Sequence, residues 1–201
     1  MTGAAQLWLR VCGSALVALS MTYTILACFA LRARRVSAQR ESAVVPPATI
    51  LKPLRGEEYE LYERLRTFCE QRRADVQIVF GVRDPGDPAL VAVRRLQREF
   101  PQLDLQVVVN PAQHGTSGKV SNLVNMLPFV RHEYLVIADS DVRVSPDYLE
   151  RVVSPLLDEG VGIVTCLYRG WPRPGLWSLL GSLFINEWFR PSVCFAALFG
   201  S

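Results

Sequence analysis

The chain has 201 residues, half of them hydrophobic, and a formal net charge of +3 at neutral pH. This length suits about one domain, and so mild a charge, with few aromatic residues near basic ones, excludes a typical nucleic-acid-binding surface. The five cysteines are an odd, widely spaced set without a Cys-x-x-Cys pair. Such a set argues against a disulfide framework or a zinc site and favours a reducing compartment.

The first predicted element is a transmembrane helix over residues 8–31. The run from Val11 to Leu31 contains no charged side chain, and a helix needs roughly 20 apolar residues to cross a bilayer. A cleaved signal peptide is the alternative, but its apolar core normally has only about 7–15 residues. The length of the run therefore favours a permanent, single-pass membrane anchor.

A basic segment follows the predicted anchor and indicates its orientation. Only Arg10 precedes the apolar run, whereas four arginines follow it closely: Arg32, Arg34, Arg35 and Arg40. Because basic residues beside a membrane span stay on the cytoplasmic side, we expect an outward amino terminus and a cytosolic main domain. Residues 32–47 are interpreted as a juxtamembrane linker, whose arginines could also bind anionic lipid headgroups.

The rest of the chain alternates between short apolar runs, which predict strands, and amphipathic stretches, which predict helices. Strands are predicted at 48–51, 76–82, 105–109, 135–138 and 162–165, and helices at 57–70, 88–100, 119–130 and 146–159. This alternation, with short connections, predicts an α/β fold whose mostly parallel sheet is covered by helices on both faces. The domain is predicted to occupy residues 48–201.

Ligands of such folds bind beyond the carboxyl ends of the strands, which selects the charged loops 53–56, 83–87 and 139–141. Asp139 and Asp141 flank Ser140 at the end of an apolar run, so an extended backbone would direct both carboxylates to the same side. A divalent cation between them accounts for this pattern. An ordinary capped and solvated turn accounts for it as well.

Four short motifs occur along the predicted domain: ILKPLRG at 50–56, VRDPGDPA at 82–89, GKVSNL at 118–123 and ADSDVRV at 138–144. Together with the anchor they resemble the family 2 glycosyltransferases. More narrowly, the chain resembles the ceramide glucosyltransferase group and its bacterial relatives, the hopanoid biosynthesis-associated glycosyltransferases. The resemblance runs from the anchor to the end of the chain, and it implies a GT-A-like, Rossmann-type domain that binds a nucleotide sugar.

The resemblance also implies roles for individual residues. Asp84 and Asp87 would contact the uracil and ribose of a uridine diphosphate (UDP) sugar. Asp139 and Asp141 would place Mg²⁺ or Mn²⁺ on the diphosphate, where hard oxygen ligands suit either ion, and Lys119 would lie near the phosphates. The expected donor-binding residues are Lys52, Asp84, Asp87, Lys119 and Asp139, and the expected metal ligands are Asp139 and Asp141.

The two lysines of the chain have unequal support. Lys119 follows Gly115 and Gly118, and glycine permits a close approach of the backbone to a ligand, which favours ligand contact. Lys52 lies inside the first motif. For Lys52, donor contact and a solvated surface position are equally open.

In function, the resemblance implies an inverting UDP-sugar-dependent hexosyltransferase. It would transfer a sugar to a lipid hydroxyl, of ceramide or of a hopanoid polyol, at the cytosolic face of a bacterial inner membrane. Members of the group continue beyond the position of Ser201, so we expect the general base and an Arg-Trp motif there, and no catalytic base in this chain.

Two other functions are weighed against this one. The first is an inactive, membrane-anchored nucleotide-binding or interaction module, and the second is a metal-dependent nucleotidyltransferase, which uses similar acids. Residues 176–199 are rich in leucine, phenylalanine and tryptophan but contain charges. That composition fits an interfacial helix beside a lipid acceptor and fits ordinary core packing equally well.

Overall fold

The computed structural model describes residues 3–37, 45–72 and 75–196 of the chain. It contains two compact units: Met1–Glu41 with Thr165–Ser201, termed the helical unit, and Ser42–Val164, termed the sheet unit. The predicted domain of 48–201 therefore divides at residue 165 in this structure, and its boundaries stay a prediction. Arg40, counted above among the basic residues, lies outside the described ranges.

A four-stranded parallel sheet forms the centre of the sheet unit. Its strands are β1 (Ala48–Pro53), β2 (Val76–Val82), β3 (Asp104–Val109) and β4 (Tyr134–Ile137). Their order across the sheet is β3-β2-β1-β4, and every neighbouring pair is parallel. Strand β1 pairs on both sides, with Ile50 opposite Ile78 of β2 and Val136 of β4. The predicted parallel sheet is thus confirmed.

The helices follow the strands in the order that the sequence predicts. They are α1 (Gly3–Ser37), α2 (Leu61–Cys69), α3 (Ala89–Glu99), α4 (Gly118–Met126), α5 (Tyr148–Val153), α6 (Leu176–Leu183) and α7 (Arg190–Ala196). Short 3₁₀ turns, Leu127–Phe129 and Ser154–Leu157, follow α4 and α5. Each turn contains a proline, which has no N–H for a continuing α-helix, so the regular helices end before the predicted boundaries.

Helices cover both faces of the sheet, as predicted. Helices α2, α3 and α5 contribute to the larger hydrophobic core, which includes Ile50, Leu65, Phe68 and Phe80. The opposite face carries a smaller cluster of Leu51, Val79, Val108 and Met126, the last from α4. Neighbouring residues of a strand point to opposite faces, so the continuous apolar run of β1 is buried on both sides, as is typical of parallel sheets.

Two further predicted elements differ from the structure. The helix predicted to begin at residue 57 begins at Leu61, because Glu60 has a left-handed backbone with φ 53°, and a right-handed helix does not continue through that conformation. The strand predicted at 162–165 is wrong: these residues have no regular structure, and Ile163 is 84% exposed. They pair with no strand in the described ranges, so their backbone groups lack the partner that a strand requires.

The helical unit contains α1, α6 and α7. Within the described ranges, one helical segment is long and apolar enough to cross a membrane, Gln6–Phe29 of α1. Helix α7 packs against it, with 2.7 Å between the hydroxyl oxygens of Tyr23 and Ser192. Residues 176–196 are helical with a π-turn at Phe184–Phe189, and the prediction of an interfacial helix there stays a prediction.

Gly81, near the end of β2, is required by close packing rather than by backbone conformation. Its carbonyl accepts hydrogen bonds from the Leu54 N–H and from Asn122 Nδ2, each at 2.8 Å. A Cβ atom at this position would lie 2.3 Å from Met126 Sδ and 2.5 Å from Asn122 Oδ1. The side chains of Met126 and Asn122, both in α4, therefore occupy the space that a Cβ at position 81 would need, and they would have to shift to admit one.

We expect Gly81→Ala to lower the free energy of unfolding of the sheet unit by about 1–3 kcal/mol, the usual range for overpacking a core. Gly162→Ala is the control, because nothing lies within 4 Å of a Cβ at that position. The four tryptophans, Trp8, Trp171, Trp177 and Trp188, are all outside the sheet unit. Unfolding is therefore best measured by hydrogen exchange of β1 and β2, and equal stability of both variants would contradict the packing argument.

Candidate functional site

Parallel pairing brings the carboxyl ends of all four strands to one edge of the sheet. Because β1 lies between β2 and β4, the loop after β1 has the loop after β2 on one side and Asp139–Asp141 on the other. Residues 139–141 are termed the acid turn from here on. The structure thus brings most of the predicted site residues to a single edge.

The carboxylate of Asp139 forms an ion pair with Lys119, the second residue of α4. Both side chains are about half exposed, 53% for Asp139 and 52% for Lys119. Asp141 is exposed as well. Helix α4 begins at Gly118, after Ser117, whose side chain accepts a hydrogen bond from the Val120 N–H. Lys119 therefore contacts the acid turn directly through Asp139, and its predicted contact with the donor phosphates stays a prediction.

Each residue of the acid turn forms a hydrogen bond with a neighbouring element. Lys52 Nζ donates to the backbone carbonyl of Asp139 at 2.5 Å. Ser140 Oγ donates to Glu58 Oε1 at 2.7 Å, and the Arg64 guanidinium donates to the backbone carbonyl of Asp141. The partners come from the end of β1, the loop after it, and α2. This arrangement fixes the turn by its backbone and by Ser140, and leaves the carboxylates of both aspartates toward solvent.

Lys52 is completely buried, with 0% exposure. Its Nζ lies 3.7 Å from the centroid of the Phe68 ring, a favourable cation–π geometry. Burial lowers the pKa of Lys52 to about 7, although the nearby charges of Asp139, Asp141 and Glu58 act in the opposite direction. The alternative of a solvated surface lysine is therefore wrong, and the predicted donor contact is considered again below.

The two acids of the loop after β2 have different environments. Both carboxylate oxygens of Asp87 accept from the Gly56 N–H, at 2.9 and 3.1 Å, and one also accepts from the Ala89 N–H at 2.9 Å. Asp87 therefore joins the loop after β1 to the start of α3. Asp84 is exposed, and within the described ranges its carboxylate accepts one hydrogen bond, a local one from the Gly86 N–H at 2.8 Å. The predicted nucleotide contacts of both residues stay predictions.

Sequence analysis missed several residues that the structure places at this edge. Glu58 and Arg64 contact the acid turn, and Arg83 lies beside Gly118 at the start of α4. Arg83 Nη2 donates to the carbonyl of Pro111 at 3.2 Å and to Gln113 Oε1 at 3.3 Å. Arg83 directly precedes Asp84 in the second motif, which is a signal that could have identified it.

The acid turn has the chemistry of a magnesium or manganese site that is completed by a ligand. In the ranges that the structure describes, no group of three or more His, Cys, Asp and Glu side chains could hold a metal ion. Asp139 and Asp141 nevertheless offer exposed carboxylate oxygens, and Mg²⁺ is commonly bound by one or two carboxylates together with substrate phosphates and water. These residues fit such an ion when a phosphate-bearing ligand supplies the remaining oxygens.

The parallel sheet, its helices and the acid turn define a GT-A-like glycosyltransferase domain. The family model described as Glycosyl transferase family 21 matches residues 13–201, and the chain belongs to this family. The resemblance to the ceramide glucosyltransferase group, which the four motifs indicated, is thereby confirmed.

Curated relatives of the chain include several ceramide glucosyltransferases. The enzyme of Candida albicans is 29% identical over an alignment of 120 positions, which covers 54% of this chain and 22% of the relative. Ceramide glucosyltransferase 1 of Caenorhabditis elegans is 22% identical over 143 residues, 71% of this chain and 31% of the relative. The Komagataella phaffii enzyme is 29% identical over an alignment of 133 positions, which covers 61% of this chain and 26% of the relative. The matched part is thus about a quarter of the length of these relatives.

Among solved structures, the chain is similar to the mannosyltransferase PcManGT from Pyrobaculum calidifontis, which was solved in complex with GDP-Man and Mn²⁺. The TM-score is 0.54 and the sequence identity 26%, over 77% of this chain and 46% of that structure. This similarity supports the assignment of the fold.

We expect Asp87→Ala to lower the free energy of unfolding of the sheet unit by about 1–2 kcal/mol, because it removes acceptors from two backbone N–H groups. Asp84→Ala, in the same loop, should change the free energy of unfolding by no more than about 0.5 kcal/mol, as is usual for exposed positions. Hydrogen exchange of β1 and β2 measures both effects. A loss of the same size in the two variants would show that Asp87 does not join the loops.

Proposed function

We propose that this chain is the donor-binding part of a membrane-bound hexosyltransferase that uses a UDP-sugar and a lipid acceptor. The observation that carries the proposal is the exposed acid turn at the carboxyl edge of the sheet, paired with Lys119, in a member of family 21. Ceramide or a hopanoid polyol is the proposed acceptor, and the transfer inverts the anomeric centre at the cytosolic face of the membrane.

The residues of the site bind different parts of the donor or support those that do. Asp139 and Asp141 hold Mg²⁺ or Mn²⁺, and when bound the cation supplies Lewis-acid stabilisation to the diphosphate that leaves the sugar. Lys119, on the same exposed edge, neutralises Asp139 in the absence of a donor and contacts phosphate oxygens when a donor is bound. Asp84, exposed in the loop after β2, contacts the nucleoside, while Asp87 keeps the walls of the site together.

The membrane part of the proposal is supported by α1. Its segment Gln6–Phe29 is long and apolar enough to cross a bilayer, and arginines follow that segment in the sequence. By the positive-inside rule, the sheet unit would lie on the cytosolic side of the membrane. The membrane that we propose is a bacterial inner membrane. A lipid acceptor requires a catalytic domain at a bilayer surface, which this anchor provides.

A second candidate function is an inactive membrane-anchored module that binds nucleotide or a protein partner. It requires only the donor site that the sheet unit carries at the acid turn. The two candidates share the donor site and differ in turnover. They can be distinguished by assaying sugar release and sugar transfer with the chain in lipid nanodiscs that contain ceramide or a hopanoid polyol. Binding without turnover favours the inactive module.

Calorimetric titration of the whole chain in detergent micelles with UDP tests the donor site. We expect Mn²⁺ to strengthen binding, and Asp139→Asn and Asp141→Asn should each weaken the Mn²⁺-dependent affinity at least about tenfold, because even the groups that support metal ligands contribute about 10–100-fold. Asp75→Asn is the matched control, since this exposed aspartate precedes β2 at the other end of the strands.

The same titration with GDP tests the choice of nucleotide, since the solved mannosyltransferase binds GDP-Man. Tighter binding of GDP than of UDP would contradict the proposed donor but not the proposed site. Binding of UDP that neither Mn²⁺ nor the two asparagine substitutions change would contradict the site itself.

A further inference from the structure

We propose that Lys52 is a positioning residue that fixes the backbone of the acid turn, instead of a residue that contacts the donor. The proposal rests on the proposed function for the identity of the ligand that the turn binds. It concerns the way in which the fold prepares two aspartates for that ligand.

The first argument is the location of the ammonium group. Lys52 is fully buried at the end of the central strand, and its Nζ lies between the Phe68 ring and the carbonyl of Asp139. A donor at the exposed carboxylates of the acid turn would therefore meet the turn itself before it met Lys52. Direct contact with the donor would require the turn to move away.

The second argument is the division of Asp139 between the two lysines of the chain. Its backbone carbonyl accepts from buried Lys52, and its carboxylate pairs with Lys119, which is 52% exposed. Lys52 thus determines where the backbone of the residue lies, whereas Lys119 contacts the oxygens that a cation or phosphate would approach. Identical side chains perform different tasks because one is below the turn and the other is beside it.

The third argument is energetic. A buried ammonium loses its hydration, and that loss is costly unless hydrogen bonds and opposite charges compensate for it. Within the described ranges, Lys52 Nζ has one hydrogen bond, one aromatic ring and the nearby charges of Asp139, Asp141 and Glu58. An apolar side chain would fill the same space without this cost, so packing alone does not account for a lysine. Attachment of the acid turn accounts for it.

Hydrogen exchange of the whole chain in detergent, without metal or nucleotide, tests the attachment directly. Lys52→Met removes the donor but keeps a similar volume, and we expect exchange of the peptide covering 138–143 to become about tenfold faster or more, as for a lost hydrogen bond to a charged group. Lys52→Gln keeps a shorter donor and should be intermediate. Arg94→Met, which removes an exposed cation of α3 instead, is the control and should leave this exchange unchanged.

Titration of the same variants with UDP and Mn²⁺ connects the attachment to the site. Lys52→Met should weaken the Mn²⁺-dependent affinity about tenfold or more, in the range known for groups that orient metal ligands, with Lys52→Gln again intermediate. Since the chain has only two lysines, acetylation of the folded protein provides a further check. Lys119 should react, and Lys52 should react only after unfolding.

Three results would overturn the proposal: unchanged exchange at 138–143 in Lys52→Met, faster exchange spread equally over every strand, or acetylation of Lys52 in the folded chain. Faster exchange over every strand would indicate that Lys52 only stabilises the fold as a whole. Should Lys52→Met not fold, Lys52→Gln decides by the same criteria. Failure of the unchanged chain to bind UDP and Mn²⁺ would instead refute the proposed function, while the metal-free exchange would still decide the role of Lys52.

Discussion

The pairing of β1 with a parallel strand on each side is the constraint on which the rest of the sheet unit depends. It aligns Pro53 with Gly81 of β2 and Leu51 with Ile137 of β4, so the chain leaves β1 between the two neighbouring loops. The residues that follow β1 can therefore contact both. Gly56 donates to Asp87 on one side, and Glu58 accepts from Ser140 on the other. A shift of register would separate these partners at once.

Charge at the carboxyl edge is organised in layers. Beneath the acid turn lies the buried ammonium of Lys52, at the turn's flank the guanidinium of Arg64 binds the carbonyl of Asp141, and on the exposed side Lys119 pairs with Asp139. The inner cations are taken up by backbone carbonyls, so they leave carboxylate oxygens available to a ligand. An anionic diphosphate with a divalent cation suits such an edge better than a bare anion, because the aspartates would repel the anion alone.

The sequence predicts the strands that are buried along their whole length. It does not predict contacts between residues that are far apart in the chain. The apolar runs of β1, β2 and β4 and the acids after β2 and β4 are predicted from the sequence, because strand period and loop charge are local signals. The run at 162–165 has the same local character, but no strand lies beside it in the described ranges. The contacts of Glu58 and Arg64 with the acid turn join residues 82 and 77 positions apart, and no local pattern encodes such a distance.

Asp84 and Asp87 illustrate the same limit within one loop. In the sequence they are equivalent acids in one motif, and the resemblance assigns a nucleotide contact to both. In the fold, Asp87 is engaged by backbone N–H groups of two elements, while Asp84 is exposed with one local bond. The difference arises because only Asp87 faces Gly56, a neighbour created by strand pairing. An acid of this kind can act on a ligand through the loops that it joins, even where its own oxygens are occupied.

Lys52 extends that reasoning from the loops to the core. Phe68, in α2, contacts the ammonium of Lys52 from within the hydrophobic core, and the same ammonium binds the carbonyl of Asp139. A change in the packing of α2 therefore reaches the acid turn through two consecutive contacts, without any residue that touches solvent. Because close-packed interiors transmit small displacements, the geometry of the aspartates depends on core residues that lie away from the exposed edge. The site is in this sense a property of the packed sheet unit and not of its surface loops alone.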